Sequence, residues 1–76
     1  MYGADWCSDC RRSKAVFEAD GVEFEYVDVA ESAAATEQAR SISGSARIPV
    51  IVFPDGSHLV EPSDAELREQ LARFSA

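Results

Sequence analysis

The chain has 76 residues, 46% of them apolar, and a net charge of −7. That is room for one globular domain, expected over residues 1–76, and the acidity argues against nucleic acid or an anionic membrane as partner. No apolar run approaches the roughly 18 residues a membrane helix needs, and Met1 to Asp5 has neither the basic nor the apolar part of a secretory leader.

In chain order, the first three residues can form only the end of a strand. A helix is expected over residues 7–20, with Cys10, Ser13, Lys14 and Phe17 on one face, Val16 beside them, and Gly21 as its left-handed terminator. Residues 22–29 alternate as a half-buried strand, with Val22, Phe24 and Tyr26 on one side. Ser32 caps an alanine-rich helix over residues 33–43 that ends near Gly44. Pro49 then opens an apolar strand over residues 50–53, and Pro54-Asp55-Gly56-Ser57 turns it back into His58-Leu59-Val60 as a β-hairpin. Ser63 and Glu66 form a capping box, and the helix behind them carries Leu67, Leu71 and Phe74 as one apolar stripe.

The order β-α-β-α-β-β-α, with a short or truncated first strand, predicts an α/β fold. Its mixed central sheet is flanked by helices, with parallel strands and right-handed crossovers in the first half.

The chemistry centres on Cys7 and Cys10. A disulfide across so short a loop removes little unfolded-chain entropy, and a secreted scaffold of this size would carry four or more cysteines. The pair therefore reads as a reactive dithiol of the reducing cytoplasm. A first cysteine at a helix N-terminus lies beside unpaired N–H groups and the positive end of the helix dipole, which favour the nucleophilic thiolate. A second cysteine one turn on is near enough to attack a sulfur the first has captured. Two other readings stand beside this one: a zinc site, for which the chain has only two cysteines and the single histidine His58, and two incidental buried cysteines.

Arg11, Arg12 and Lys14 follow the pair closely. They are either a solvated helix face or an electropositive patch that favours thiolate and receives carboxylates of a thiol substrate; Asp5 and Asp9 oppose the thiolate. Pro49, before an apolar strand and downstream of the dithiol helix, suits a cis peptide bond that presents backbone groups to an extended substrate.

The segments Tyr2-Gly3-Ala4-Asp5-Trp6-Cys7-Ser8-Asp9-Cys10, Val27-Asp28-Val29, Ile48-Pro49-Val50 and Asp55-Gly56-Ser57 resemble the glutaredoxin family over essentially the whole chain. The mycoredoxin-like branch is nearest, through Trp6 before the dithiol and through Gly56-Ser57, Leu59 and Pro62-Ser63. The resemblance implies a thioredoxin-like fold, a nucleophilic Cys7, a resolving Cys10 and a cis Pro49. It also implies reduction of disulfides in proteins, or of mixed disulfides between proteins and a low-molecular-weight thiol. Trp6, Arg11, Arg12, Lys14, Arg47, Ile48, Pro49, Ser63 and Asp64 are the expected thiol- and substrate-binding residues.

Glu61-Pro62 replaces the Gly-Gly pair of glutathione-using members, and Arg47 stands where a threonine is usual. Both departures favour mycothiol over glutathione as co-substrate. No tightly bound cofactor and no metal are expected, and the protein is expected to act as a monomer. A redoxin reduced directly by a flavoprotein reductase is the near alternative. An iron–sulfur scaffold, which usually has a single active-site thiol, and a pure interaction module are the alternatives of another class.

Overall fold

In the computed structural model, which describes residues 1–74, each helix starts where a short side chain can accept a hydrogen bond from the first turn. Cys7 caps α1 (Ser8–Ala19), Ser32 caps α2 (Ala33–Ser43) and Ser63 caps α3 (Asp64–Ala72). Ala35 N–H donates to Ser32 Oγ at 3.1 Å. In α3 the capping box is reciprocal, with Glu66 N–H on Ser63 Oγ and Ser63 N–H on Glu66 Oε1, both at 3.1 Å. Those bonds hold the Glu66 carboxyl below its ordinary range. The far end of α1 closes as a Schellman motif. Gly21 takes φ 66°, Val22 N–H reaches Phe17 O at 2.9 Å and Gly21 N–H reaches Glu18 O at 3.3 Å.

Four strands form one sheet in the order β2-β1-β3-β4, from β1 (Tyr2–Gly3), β2 (Val27–Asp28), β3 (Val50–Val52) and β4 (His58–Val60). β1 is parallel to β2, with Tyr2 beside Val27, and antiparallel to β3, with Tyr2 beside Val50. β3 and β4 are the expected hairpin, Val50 facing Val60 and Val52 facing His58.

Two expectations change. The strand expected over residues 22–29 is paired only at Val27 and Asp28. Its alternation survives, since Val22, Phe24 and Tyr26 pack against the core while Glu23 and Glu25 face solvent. What is missing is a partner. Beside Val27 the contacts are the Met1 amino group donating to Glu25 O at 2.7 Å and Val27 N–H donating to Met1 O at 2.8 Å, and among the described residues no strand pairs with residues 22–26. The second change is strand direction, because β3 returns antiparallel to β1 instead of adding a second parallel crossover. Alternation of helix and strand does not encode direction, and the loop over residues 44–49 lets the chain re-enter the sheet in either sense.

Strand alternation divides the interior in two. Ile51 and Phe53 join Met1, Cys10, Val16, Phe17 and Leu67 in the core cluster beneath α1 and α3. Val50, fully buried, points the other way, toward the side where Ala35 and Ala39 of α2 are buried. Phe17 and Phe24 stack with centroids 4.6 Å apart, and Arg68 Nε meets Asp20 Oδ2 at 3.2 Å to tie α3 to the end of α1. Burying a side chain such as Leu67 contributes about 1.5–3 kcal/mol, a large share for so small a core. The dithiol helix is thus fixed by packing along its length. Cys10 is part of that packing.

Candidate active site

The turn before α1 positions the first sulfur. Cys7 N–H donates to Ala4 O at 3.1 Å, and Cys7 takes extended backbone angles (φ −88°, ψ 117°) as the helix cap. Its Sγ then accepts the Cys10 N–H at 3.3 Å. A donor aimed at sulfur from the first helical turn stabilises negative charge there. On its other side Cys7 Sγ lies 3.9 Å from Ile48 O, the carbonyl of the cis Ile48–Pro49 peptide bond.

Both cysteines are free thiols, and their surroundings differ sharply. Cys7 is half-buried, whereas Cys10 is 1% exposed. Burial, and next the hydrogen bond with Cys7, push the Cys10 thiol up to about 12. One sulfur can therefore be reached by a substrate, and the other is held protonated behind it.

Gly3 lets the two approach. A Cβ placed on it would lie 3.1 Å from Cys10 Sγ and 3.3 Å from Cys10 Cβ, so a side chain on β1 here would force its neighbours to shift by a few tenths of an ångström.

The turn that carries Trp6 is braced from outside. Tyr26 donates its hydroxyl to Asp5 Oδ1 at 3.4 Å, and Arg11 Nη1 donates to Asp5 O at 3.2 Å. Burial, followed by the Asp5 charge, pushes Tyr26 up to about 12. Lys14 Nζ sits 5.0 Å from the centre of the Tyr26 ring, a cation–π contact. Trp6 itself is 72% exposed, which leaves its indole free to meet a partner and gives it little packing role.

The other residues singled out from sequence fall into two groups. Trp6, Arg47 and Ile48 line a groove of about 240 Å³ together with Val29, Thr36 and Arg40. Arg47 is exposed there, with its backbone N–H on Ser45 Oγ at 3.1 Å. Arg12, Ser63 and Asp64 lie on the α3 side. Arg12 is engaged with protein groups: Nη1 is 3.3 Å from Asp9 Oδ1, Nε 3.2 Å from Asp64 Oδ1, and Nη2 3.2 Å from Pro62 O. Asp64 Oδ1 is shielded from solvent and makes no aligned hydrogen bond, so Arg12 is its ion-pair partner only. Pro49 joins the two groups, because its carbonyl accepts the Glu61 N–H at 3.0 Å.

The sequence gives Gly3, Tyr26 and Arg40 no part in the site, and it names Asp5 only as a charge opposing the thiolate. Gly3 alone left a signal, a glycine in an apolar strand end beside a reactive motif. Among the described residues no three His, Cys, Asp or Glu side chains gather in a way that could hold a metal ion. A larger apolar cavity of about 570 Å³, lined by Met1, Phe24, Val52, Phe53 and Phe74 among others, shares no residue with the groove beside Cys7.

Comparison with known proteins agrees with this geometry. Residues 1–59 match the glutaredoxin family model. The chain is 33% identical over 76 residues to a protein of Mycobacterium tuberculosis named as a glutaredoxin, covering 99% of this chain and 90% of that one. It is 34% identical over 68 residues to Mycoredoxin 1 of Corynebacterium glutamicum, covering 88% of this chain and 84% of the other. Among solved structures, the crystal structure of a glutaredoxin from Archaeoglobus fulgidus superposes with a TM-score of 0.83 at 29% identity, over 92% of this chain and 80% of that one. The architecture is the thioredoxin-like one.

Proposed function

The chain belongs to the glutaredoxin family of thiol–disulfide oxidoreductases, and from that premise we propose that it reduces mixed disulfides between proteins and mycothiol through Cys7. The observation that carries this reading is the reachable Cys7 sulfur, receiving the Cys10 N–H at the head of α1 with the second thiol buried behind it.

The Cys7 thiolate attacks the sulfur of the small thiol in the mixed disulfide. A Cys7–thiol disulfide forms, and the protein cysteine leaves as a thiolate. A second molecule of the small thiol then attacks that adduct, freeing Cys7 and leaving the low-molecular-weight disulfide as product. On a protein disulfide, Cys7 forms the mixed disulfide and Cys10 attacks the Cys7 sulfur. The substrate leaves as a dithiol and Cys7–Cys10 is oxidised, to be reduced by two equivalents of small thiol or by a flavoprotein reductase. Capture of Cys7 in the mixed disulfide removes its negative charge, which relaxes one of the causes that hold Cys10 protonated.

Mycothiol is favoured over glutathione because Glu61-Pro62 stands before α3, with Glu61 at φ 48° and Pro62 buried, where a glycine pair would let a tripeptide lie on the backbone. Similarity to Mycoredoxin 1 supports the same choice. Trp6, Arg47 and Ile48 line the groove assigned to substrate. We assign the protein to the reducing cytoplasm as a monomer, where its partners are thiolated or disulfide-bearing proteins.

Turnover with mycothiol, glutathione or thioredoxin reductase as electron donor tests the reading. Mycothiol is expected to support the fastest reduction. Cys7→Ser is expected to be inert on every substrate, whereas Cys10→Ser keeps activity on mixed disulfides and loses it on protein disulfides. A Cys10→Ser protein as inert as Cys7→Ser on mixed disulfides would refute the single-thiol route.

A further inference from the structure

Arg12 bridges three groups that the substrate does not provide. Asp9 lies inside the dithiol motif, two residues from Cys7 and one from Cys10, and its carboxylate is one of the charges opposing ionisation of the buried thiol. Arg12 Nη1 meets that carboxylate at 3.3 Å, while Nε and Nη2 are anchored on Asp64 Oδ1 and Pro62 O, each at 3.2 Å. The other charged groups around the sulfurs have different engagements. Asp5 accepts from Tyr26, Arg11 donates to the Asp5 carbonyl, Lys14 lies over the Tyr26 ring, and Arg47 lines the groove. Arg12 is the cation paired with the carboxylate inside the motif. Its two anchors on the α3 side orient the guanidinium toward Asp9, although the side chain stays 46% exposed.

We infer that Arg12 is a positioning residue that neutralises Asp9 beside the dithiol, and that the start of α3 serves as the clamp holding it in place. The inference rests on the reading of Cys7 as nucleophile. A negative charge near a thiol disfavours the thiolate, so an unpaired Asp9, two residues from Cys7, slows a reaction that begins from the Cys7 thiolate. The same clamp closes a mechanical circuit. Arg12 holds Pro62, Glu61 N–H holds Pro49 O, and Ile48 O faces Cys7 Sγ.

A double-mutant cycle separates the electrostatic role from a purely structural one. The rate of Cys7 alkylation by iodoacetamide at neutral pH is measured for the wild type, Arg12→Gln, Asp9→Asn and the double variant. Circular dichroism establishes that each is folded, and turnover of bis(hydroxyethyl) disulfide is followed in parallel. Arg12→Gln is expected to slow alkylation roughly threefold to tenfold, and Asp9→Asn to recover most of that loss in the Arg12→Gln background while changing the wild-type rate less than about twofold. Arg12→Lys, which keeps a cation on a flexible stem, is expected to stay within about threefold of wild type. A merely structural clamp predicts no recovery, because Asp9→Asn restores neither the Asp64 nor the Pro62 contact. The inference is overturned if Arg12→Gln alkylates at the wild-type rate, or if Asp9→Asn has the same effect in both backgrounds. A wild type whose Cys7 alkylates rapidly but which reduces no disulfide would instead refute the proposed function and leave Arg12's role standing.

Discussion

Replacing Gly3 by alanine adds one methyl group at the closest point between β1 and the dithiol helix. The new Cβ would stand 3.1 Å from Cys10 Sγ and 3.3 Å from Cys10 Cβ, inside ordinary van der Waals distance by a few tenths of an ångström. Neither neighbour can yield freely. Cys10 sits in the core with Val16, Phe17, Ile51 and Leu67, and the α1 backbone is capped at one end and closed at the other. Overpacking of this kind costs about 1–3 kcal/mol. Gly3 lies outside the positive-φ region, so the reduced freedom of the unfolded chain offsets roughly 0.4–1 kcal/mol. The net loss is about 1–2 kcal/mol, or roughly 4–16 °C in Tm for a domain of this size. Thermal melts of the reduced protein measure it, and Gly3→Ala in a Cys10→Ala background isolates the cause. Removing the sulfur takes away the shorter contact and leaves the 3.3 Å one to Cβ, so there the same substitution is expected to cost clearly less than in the wild type. An unchanged Tm, or an equal loss in both backgrounds, would refute the close-approach argument.

Alkaline pH should destabilise the reduced fold. Cys10 and Tyr26 both ionise later in the folded than in the unfolded chain, each pushed up to about 12 from ordinary values of 9.0 and 10.0. Between those limits the native state holds more protons, so stability falls as pH rises from about 9. Urea midpoints measured across that range check the slope, and in Cys10→Ala the decline should begin only near pH 10, where Tyr26 enters. At the start of α3, Ser63→Ala should cost about 0.5–2 kcal/mol by denaturant melting, since it removes the acceptor for Glu66 N–H. The Glu66 carboxyl is held low by the same capping box, so its contribution is present at neutral pH and lost as pH falls below about 4.5. In Ser63→Ala that acid dependence should weaken only in part, because the Ser63 backbone N–H, the larger cause, still donates to Glu66 Oε1.

Local signals in the sequence carried most of the architecture because they act locally. Ser32, Ser63 and Glu66 cap helices through groups within three residues of themselves, and Gly21 ends α1 wherever the helix packs. The hairpin turn and the Cys7–Cys10 spacing are likewise short-range. Pairing was not legible in the same way. Residues 22–26 carry the alternation of a strand, but whether they join a ladder depends on a neighbour that β1 does not supply. Nor could spacing distinguish Arg11, Arg12 and Lys14, which look alike in a row. Arg12 finds Asp64, more than fifty residues away, Lys14 finds Tyr26, and Arg11 turns to the Asp5 carbonyl. Gly3 and Cys10 meet only because the sheet brings β1 under α1.

The burial of Cys10 bears on chemical durability. Hydrogen peroxide and other diffusible oxidants must reach a sulfur before they can carry it past the sulfenic stage to the irreversible acids. At 1% exposure the inner sulfur is out of their reach, so damage of that kind falls on Cys7. A Cys7 sulfenic acid would condense with the thiol one turn behind it, giving a disulfide that cellular thiols can reverse. The second sulfur is thus a shielded reserve: it escapes direct attack by diffusible oxidants and is spent only in converting the first lesion on its neighbour into a repairable bond.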